Sequence, residues 1–208
     1  MNNFIVVEGI CCSGKSTFCK ILQKALYKNK IAAFYNHGSF TNTEYGKQLK
    51  DASVNMNWDI EASFYLCDLI IDTKKTILPI LTKSTVLQDR YAVSISSFVS
   101  AYGKYTNELK CIDTIIDALF KEKILLRPTL TVYCVPSFEV ILQRLKNGKR
   151  NFMHDFYINN PNFLKLVYDD MLNRSNEPNA IIVDTNSNQC VNMAILQIIE
   201  QMRKEDEI

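Results

Sequence analysis

The sequence predicts a three-layer α/β/α fold built on a five-stranded parallel sheet. Short apolar runs rich in β-branched residues alternate with longer segments whose apolar residues recur at helical spacing. Helical crossovers between strands make the strands parallel and cover both faces of the sheet. Ligands of such folds bind beyond the carboxyl ends of the strands, so the residues directly after each strand are the functional candidates.

Five strands and the helices between them follow from these patterns. The predicted strands cover residues 4–7, 31–35, 85–88, 130–135 and 180–183. An amphipathic helix follows the first loop, and further helices are predicted over 59–78, 137–146, 161–173 and 191–203. Ser137 is expected to cap its helix, and Pro161 to occupy a first helical position.

Composition indicates one domain over residues 1–208. The 208 residues are 47% hydrophobic and 22% charged, with a net charge of +2, which excludes a disordered chain and argues against a general nucleic-acid or membrane-surface binder. The N-terminus lacks a basic segment typical of a signal peptide, and no apolar run approaches the roughly 20 residues that span a bilayer.

Cysteine usage indicates a reducing compartment. The chain has seven cysteines and two histidines but no CxxC pair, and the adjacent Cys11 and Cys12 are a poor zinc or disulfide element. We therefore expect reduced thiols and a cytoplasmic location.

The clearest motif follows the first strand. Residues 9–16 fit GxxxxGK[ST], a loop whose backbone amides hold phosphate oxygens at a helix N-terminus. Lys15 is expected to reach the β- and γ-phosphates and Ser16 to hold Mg²⁺. The predicted ATP-binding residues of the loop are Gly9, Ile10, Cys11, Cys12, Ser13, Gly14, Lys15, Ser16 and Thr17. An NKxD motif is absent and no glycine follows Asp89 in a DxxG arrangement, which argues against a GTPase switch.

Three segments together resemble thymidylate kinase: FIVVEGICCSGKST at 4–17, VLQDRYAVSISSF at 86–98, and PTLTVYCVPSFEVILQRL at 128–145. The resemblance runs in order along nearly the whole chain. It implies a P-loop NTPase-type nucleoside monophosphate kinase domain that uses ATP and Mg²⁺, phosphorylates dTMP-like acceptors and forms a homodimer. Its partners would be small nucleotides rather than nucleic acid or membrane.

Asp89 and Arg90 are the leading catalytic candidates outside the loop. Asp89 ends the third strand, so its carboxylate is expected to face the phosphate loop and orient a metal ion together with Ser16. Arg90 offers a planar fork suited to a phosphate monoester. A surface ion pair is the alternative interpretation of the two residues.

The resemblance also places acceptor-binding residues. Besides Arg90, these are Glu8, Cys11, Phe64, Tyr65 and Phe98. Glu8 either lines the site or plays a structural role. Phe64, Tyr65 and Phe98 either flank the acceptor base or pack in the core, as aromatic residues at helical spacing commonly do.

A basic stretch from Arg144 to Arg150 lies where the family has its closing lid. It contains four cations and no acid, and we predict a mobile lid over residues 146–157. Lys149 and Arg150 are the candidates for a catalytic lid cation, and Arg144 is assigned to ATP binding. A solvated basic loop is the alternative.

Four departures from the family pattern concern the acceptor side. Cys11 stands where the family has Asp; the segment around Asn36 lacks a phosphate-binding arginine; Leu69 replaces another arginine; and a tyrosine after the lid is out of register. Three hypotheses therefore remain: phosphorylation of a (deoxy)nucleoside monophosphate, with dTMP the leading candidate; a deoxynucleoside kinase; and a nucleotide-binding homologue with weak or no turnover.

Overall fold

The computed structural model describes residues 2–38, 48, 58–106, 112–148 and 152–206. Its five strands form one all-parallel sheet in the order β2-β3-β1-β4-β5, with helices on both faces, which confirms the predicted fold. The strands are β1 (Phe4–Glu8), β2 (Ala33–His37), β3 (Thr85–Asp89), β4 (Leu130–Cys134) and β5 (Ala180–Val183).

Nine α-helices are described in these ranges, and none has the length and apolar character needed to cross a membrane. They are α1 (Lys15–Lys28), α2 (Trp58–Asp72), α3 (Leu78–Leu81), α4 (Ala92–Thr106), α5 (Ile112–Lys121), α6 (Phe138–Asn147), α7 (Phe152–Asn159), α8 (Pro161–Arg174) and α9 (Asn188–Asp206). As predicted, Ser137 caps α6 through the Val140 amide, and Pro161 begins α8.

The helix predicted over 59–78 is interrupted by a π-helical turn, Thr73–Ile77, between α2 and α3. Pro79 lies just beyond this turn and has no amide hydrogen to donate to the carbonyl of Lys75, four residues earlier, with which its ring also collides. The Thr73 hydroxyl donates to the Leu69 carbonyl at 2.8 Å and takes up a backbone acceptor at the start of the turn. The interruption thus has a local cause in the sequence.

Strand β2 begins two residues later than predicted because its pairing with β3 fixes the register. Ala33 pairs with Thr85 and His37 with Asp89. The shift brings Tyr35 and His37, rather than the residues after them, to the carboxyl end of the sheet.

Two apolar layers cover the sheet. Alternate β1 side chains point to opposite faces: Ile5 and Val7 pack with α1 and α9, whereas Phe4 and Val6 pack with residues of α2 and α5. A third apolar cluster joins Ile10, in the loop after β1, to α4, α6, α7 and α8. The loop after β1 is thereby anchored in the protein interior.

The topology places the loop at the centre of the sheet edge. β1 lies between β3 and β4, with Val7 paired to Asp89 and Glu8 to Tyr133. The carboxyl end of β3 therefore lies level with the start of the loop, and Asp89 and Arg90 adjoin Gly9.

Tyr91 should make a measurable contribution to folding. Its buried hydroxyl accepts from the Leu126 amide at 3.1 Å and lies 2.9 Å from Thr73 Oγ1. Because the Thr73 hydrogen is already donated to Leu69, Tyr91 must donate to Thr73. We expect Tyr91→Phe to lower the free energy of unfolding by about 1–3 kcal/mol, since it leaves a buried amide unpaired.

Urea unfolding followed by circular dichroism measures this loss. Tyr27→Phe is the matched control: Tyr27 is 82% exposed, so its hydroxyl should change the free energy of unfolding by less than about 0.5 kcal/mol. Equal stabilities for Tyr91→Phe and the unaltered protein would contradict the assignment.

Candidate active site

The loop between β1 and α1 depends on two glycines. Gly9 has φ 150° and Gly14 has φ 90°. A Cβ on Gly9 would lie 2.5 Å from Ser13 Oγ and 2.7 Å from the Cys134 carbonyl, and one on Gly14 would lie 2.8 Å from Thr185 Oγ1. Side chains at either position would therefore displace the loop, as the motif predicts.

Lys15 is folded back into the loop. Its ammonium group donates to the Ile10 carbonyl at 2.8 Å, and the residue is only 6% exposed. Burial, helped by the positive charge of Arg90, lowers the pKa of Lys15 to about 8, although Asp89 acts in the opposite direction. The loop thus encloses a cation whose charge is compensated in part by Asp89. An anionic ligand would supply further compensation.

Asp89 joins the loop to β3. The Ser16 hydroxyl donates to its Oδ2 at 2.6 Å and the Tyr35 hydroxyl to the same oxygen at 3.1 Å. The carboxylate is fully buried, and among the described residues its Oδ1 has no hydrogen-bond partner. An unpaired buried carboxylate oxygen beside a serine hydroxyl is a donor set that suits a hard divalent cation.

Arg90 follows Asp89 in a left-handed conformation with φ 74°. Its amide donates to the Val7 carbonyl, and its guanidinium donates to the Gly9 carbonyl at 3.3 Å and to Ser94 Oγ at 3.2 Å. The predicted phosphate-binding cation is therefore attached to the first residue of the loop.

Glu8 connects the end of β1 to the turn after β3. Its fully buried carboxylate accepts from the amides of Tyr91, at 2.8 Å, and Ser94, at 3.3 Å, and from the Ser94 hydroxyl at 2.5 Å. Burial raises the pKa of Glu8, while the Ser94 hydroxyl, Arg90 and the two amides oppose that rise. Glu8 is thus a positioning residue in this structure, and its predicted contact with the acceptor stays a prediction.

A cavity of about 530 Å³ opens beside the loop. It is lined by Cys12, Gly14, Lys15, Ser16, Thr17, Phe18, Ile21, Arg144, Thr185, Asn188 and Val191. Arg144 crosses one wall, donating to the Cys12 carbonyl at 3.3 Å and to Thr185 Oγ1 at 3.2 Å, while Thr185 donates to the Ser13 carbonyl. Arg144 therefore lines this cavity, and its assignment to ATP binding stays a prediction.

On the other side of Arg90, aromatic residues from three helices approach one another. Tyr65 is hydrogen-bonded to Glu61, and Phe98 packs 6.2 Å from the ring of Tyr157. Burial raises the pKa of the Tyr157 hydroxyl, and the charge of Arg90 opposes that rise. Phe64 is half-buried on α2. Tyr65 and Phe98 thus pack against apolar clusters of the interior, and the predicted contacts of Phe64, Tyr65 and Phe98 with the acceptor base stay predictions.

Two residues that depart from the family pattern, Asn36 and Leu69, are buried in the protein interior. Asn36 is 1% exposed and donates to Asp72 at 2.8 Å and to Gln88 at 2.7 Å, and Leu69 is 5% exposed in the cluster beneath α2. Neither side chain is placed to replace an arginine at a phosphate. Arg90 is the acceptor-side arginine that the described residues provide at the edge of the sheet.

Cys11 contacts a residue that the sequence did not bring forward. Its Sγ lies 3.0 Å from His154 Nε2 and 4.0 Å from Cys12 Sγ. The Cys12 thiol lowers the pKa of Cys11 against the effect of burial, and the charges of Arg90, His154 and Lys15 act in the same direction as Cys12.

Sequence reasoning missed Tyr35, Thr185 and His154. Tyr35 is the last residue of the strand predicted over 31–35, and Thr185 follows the end of β5 by two residues, so the rule that directed attention to Asp89 would have found them. His154 lies on α7 and carried no comparable signal. The predicted lid cations Lys149 and Arg150 lie outside the described residues. Of the predicted lid, 146–157, the structure describes residues 146–148 and 152–157.

Comparison with known proteins agrees with this geometry. The family model for thymidylate kinase matches residues 7–195. Thymidylate kinase of Buchnera aphidicola is 30% identical over 88% of this chain and 87% of its own length, and the probable thymidylate kinase of Methanocaldococcus jannaschii shows the same values. Thymidylate kinase of Leptospira interrogans is 33% identical over 72% of each chain. The chain therefore belongs to the thymidylate kinase family and is a nucleoside monophosphate kinase, a transferase.

Proposed function

We propose that this protein transfers the terminal phosphoryl group of ATP to the 5′-phosphate of dTMP, forming dTDP and ADP. The observation that carries the proposal is the junction between the loop and the end of β3. Ser16 donates to Asp89 at 2.6 Å, and Arg90 donates to the Gly9 carbonyl at 3.3 Å. A loop suited to a triphosphate and a cation suited to a monophosphate are thus joined through their own backbone and side chains.

The donor occupies the cavity beside the loop in this proposal. The amides of residues 9–17 surround the phosphates, Lys15 neutralises charge on the β- and γ-phosphates, and Arg144 and Thr185 hold the loop and line the nucleoside end. Lys15 exchanges its bond to the Ile10 carbonyl for bonds to phosphate oxygens.

The acceptor phosphate needs no strong general base. Its second pKa is about 6, so it is an anionic nucleophile at neutral pH. Phosphoryl transfer then depends on alignment and on neutralising charge, and we assign both tasks to Arg90 and Lys15. Phe98, Phe64 and Tyr65 are the proposed contacts for the acceptor base, and Cys11 for its sugar.

We assign the divalent cation to Ser16 and Asp89 and propose Mg²⁺ as that ion. The unpaired Oδ1 of Asp89 and the Ser16 hydroxyl fit a hard cation. When bound, Mg²⁺ supplies charge neutralisation on the phosphate oxygens. Asp89 itself is held in orientation by the hydroxyl of Tyr35.

A deoxynucleoside kinase is the second candidate, and one observation argues against it. Such an enzyme must remove a proton from a 5′-hydroxyl and needs a carboxylate base beside it. Asp89 is fully buried and its Oδ2 already accepts two hydroxyl groups, while Glu8 is enclosed by Tyr91 and Ser94. Asp89 Oδ2 and both oxygens of Glu8 are therefore already engaged by donors of the protein, and the proposal assigns the remaining Oδ1 of Asp89 to the divalent cation.

Other parts of the proposal rest on the family resemblance. We propose a single kinase domain over residues 1–208, a lid over 146–157 that delivers Lys149 or Arg150 to the transferring phosphoryl group, and a homodimer. A cytoplasmic location is supported by the six described cysteines, all of which are free thiols.

A substrate panel tests the proposed reaction. Purified protein with Mg-ATP should release ADP with dTMP faster than with dUMP, dCMP or dGMP, as its family membership implies. It should also act on dTMP faster than on thymidine, because the site is built to receive a phosphate dianion. Faster turnover of thymidine would establish the nucleoside kinase instead. ATP binding without ADP release from any acceptor would establish a non-catalytic homologue.

Arg90→Ala separates acceptor binding from donor binding in the same assay. The loss of charge-assisted bonds to phosphate is worth about 1.5–3 kcal/mol, so we expect kcat/KM for dTMP to fall by roughly one to two orders of magnitude. Arg203→Ala is the matched control, because Arg203 is exposed on α9 and donates to Asn29. Equal kcat/KM values for the two variants would remove Arg90 from the acceptor site.

Binding of ATP should take up a proton above about pH 8. The pKa of Lys15 is lowered to about 8 in the free protein, and phosphate anions restore a higher pKa when they bind. ATP affinity should therefore be largest below this pH and fall as the pH rises through it.

Calorimetry in two buffers of different ionisation enthalpy measures the uptake. At about pH 9 the apparent binding enthalpies should differ in proportion to up to one proton, and at about pH 7 the Lys15 contribution should disappear. Buffer-independent enthalpies at the higher pH would show that Lys15 does not titrate in this range.

A further inference from the structure

The loop carries a second cluster of ligating atoms besides Ser16 and Asp89. Cys11 Sγ, Cys12 Sγ and His154 Nε2 all lie within 4.8 Å of one another. Cys11 and His154 are 143 residues apart in sequence, so their contact at 3.0 Å is a product of the tertiary fold.

The two spacings that involve Cys11 are close to those around a tetrahedral ion. Zinc bound at about 2.3 Å to each of two sulfurs in tetrahedral geometry separates the sulfurs by about 3.8 Å. The two Sγ atoms here lie 4.0 Å apart. The imidazole nitrogen, at 3.0 Å from Cys11, needs to retreat by about half an ångström to reach the corresponding sulfur–nitrogen separation.

Backbone conformation explains why adjacent cysteines act together here. In extended chain, consecutive side chains point in opposite directions, which makes neighbouring cysteines poor co-ligands. Cys12 has φ 60°, in the left-handed region, and this turns its side chain to the same side as that of Cys11. Both side chains pack against the cluster that contains α7, which carries His154.

The chemistry of the donor set separates it from the Mg²⁺ site. Thiolate and imidazole select soft or borderline ions such as Zn²⁺, whereas Mg²⁺ takes oxygen ligands. Ser16 and Asp89 supply the hydroxyl and carboxylate oxygens, and Cys11, Cys12 and His154 supply the sulfur and nitrogen atoms. The two ions therefore do not compete for the same side chains.

We propose that Cys11, Cys12 and His154 form a three-ligand site for a soft divalent ion of the Zn²⁺ class, with water in the fourth position. Binding replaces the thiol hydrogens of Cys11 and Cys12 by two sulfur–metal bonds and releases two protons to solvent. The two thiolates balance the charge of the ion, so the site adds no net positive charge beside Lys15 and Arg90. Bound metal joins the phosphate loop to α7, next to the wall of the donor cavity that Cys12 lines.

Titration of the reduced protein with Cd²⁺ tests the site without any need for turnover. We expect one equivalent per chain to produce the ultraviolet thiolate-to-cadmium charge-transfer absorption. Cys11→Ser and Cys12→Ser should each remove about half of its amplitude, because each leaves one sulfur ligand. His154→Ala should keep the amplitude and weaken binding by at least about tenfold.

Cys67→Ser and Cys190→Ser are the matched controls, because both thiols are exposed and lie outside the cluster. Each should leave the stoichiometry and affinity unchanged. One equivalent of Zn²⁺ should also raise the Tm of the unaltered protein, as a ligand of the folded state does, and should raise it less in the His154→Ala variant. Absence of charge-transfer absorption, or an absorption that keeps its full amplitude in both Cys11→Ser and Cys12→Ser, would overturn the proposal.

Discussion

The buried carboxylate of Glu8 is the interaction on which the geometry of the site depends. It belongs to the last residue of the central strand, and it accepts the amides of Tyr91 and Ser94 together with the Ser94 hydroxyl. These bonds attach the turn after β3, and the start of α4, to the residue that precedes the phosphate loop. A left-handed non-glycine residue costs about 1–2 kcal/mol, and the bonds on either side of Arg90 offset that cost and hold its guanidinium at Gly9.

Function follows from joining two sites that differ in chemistry. In the proposed reaction, the loop would supply amides and Lys15 to a polyphosphate, whereas the end of β3 would supply Asp89 to a cation and Arg90 to a monophosphate. The Ser16–Asp89 bond makes these parts one unit. Burial, together with the charge of Arg90, lowers the pKa of Lys15, and a phosphate anion bound beside it would act in the opposite direction.

The sequence predicted the sheet, the phosphate loop and the Asp89–Arg90 turn because each rests on local patterning or on the rule that strand ends form the site. It did not predict that Asn36 and Leu69 would be buried, because their burial depends on contacts with Asp72, Gln88 and the layer beneath α2. Helices α4, α5 and α7 were likewise not identified. The contact of His154 with Cys11 joins residues 143 positions apart, and no local pattern encodes it.

The central claim is tested most directly by measuring the affinity of the Glu8→Gln variant for ATP and, separately, for dTMP. Glutamine keeps the shape of the side chain, but its NH₂ group would face the amides of Tyr91 and Ser94, which are themselves donors. The turn that carries Arg90 would lose these bonds, so Arg90 should lose its fixed position. Calorimetry on the folded variant should show dTMP binding weakened by at least about tenfold, equivalent to 1.4 kcal/mol, and ATP binding weakened much less. Unchanged dTMP affinity, or equal losses for both nucleotides, would contradict the role given to this carboxylate.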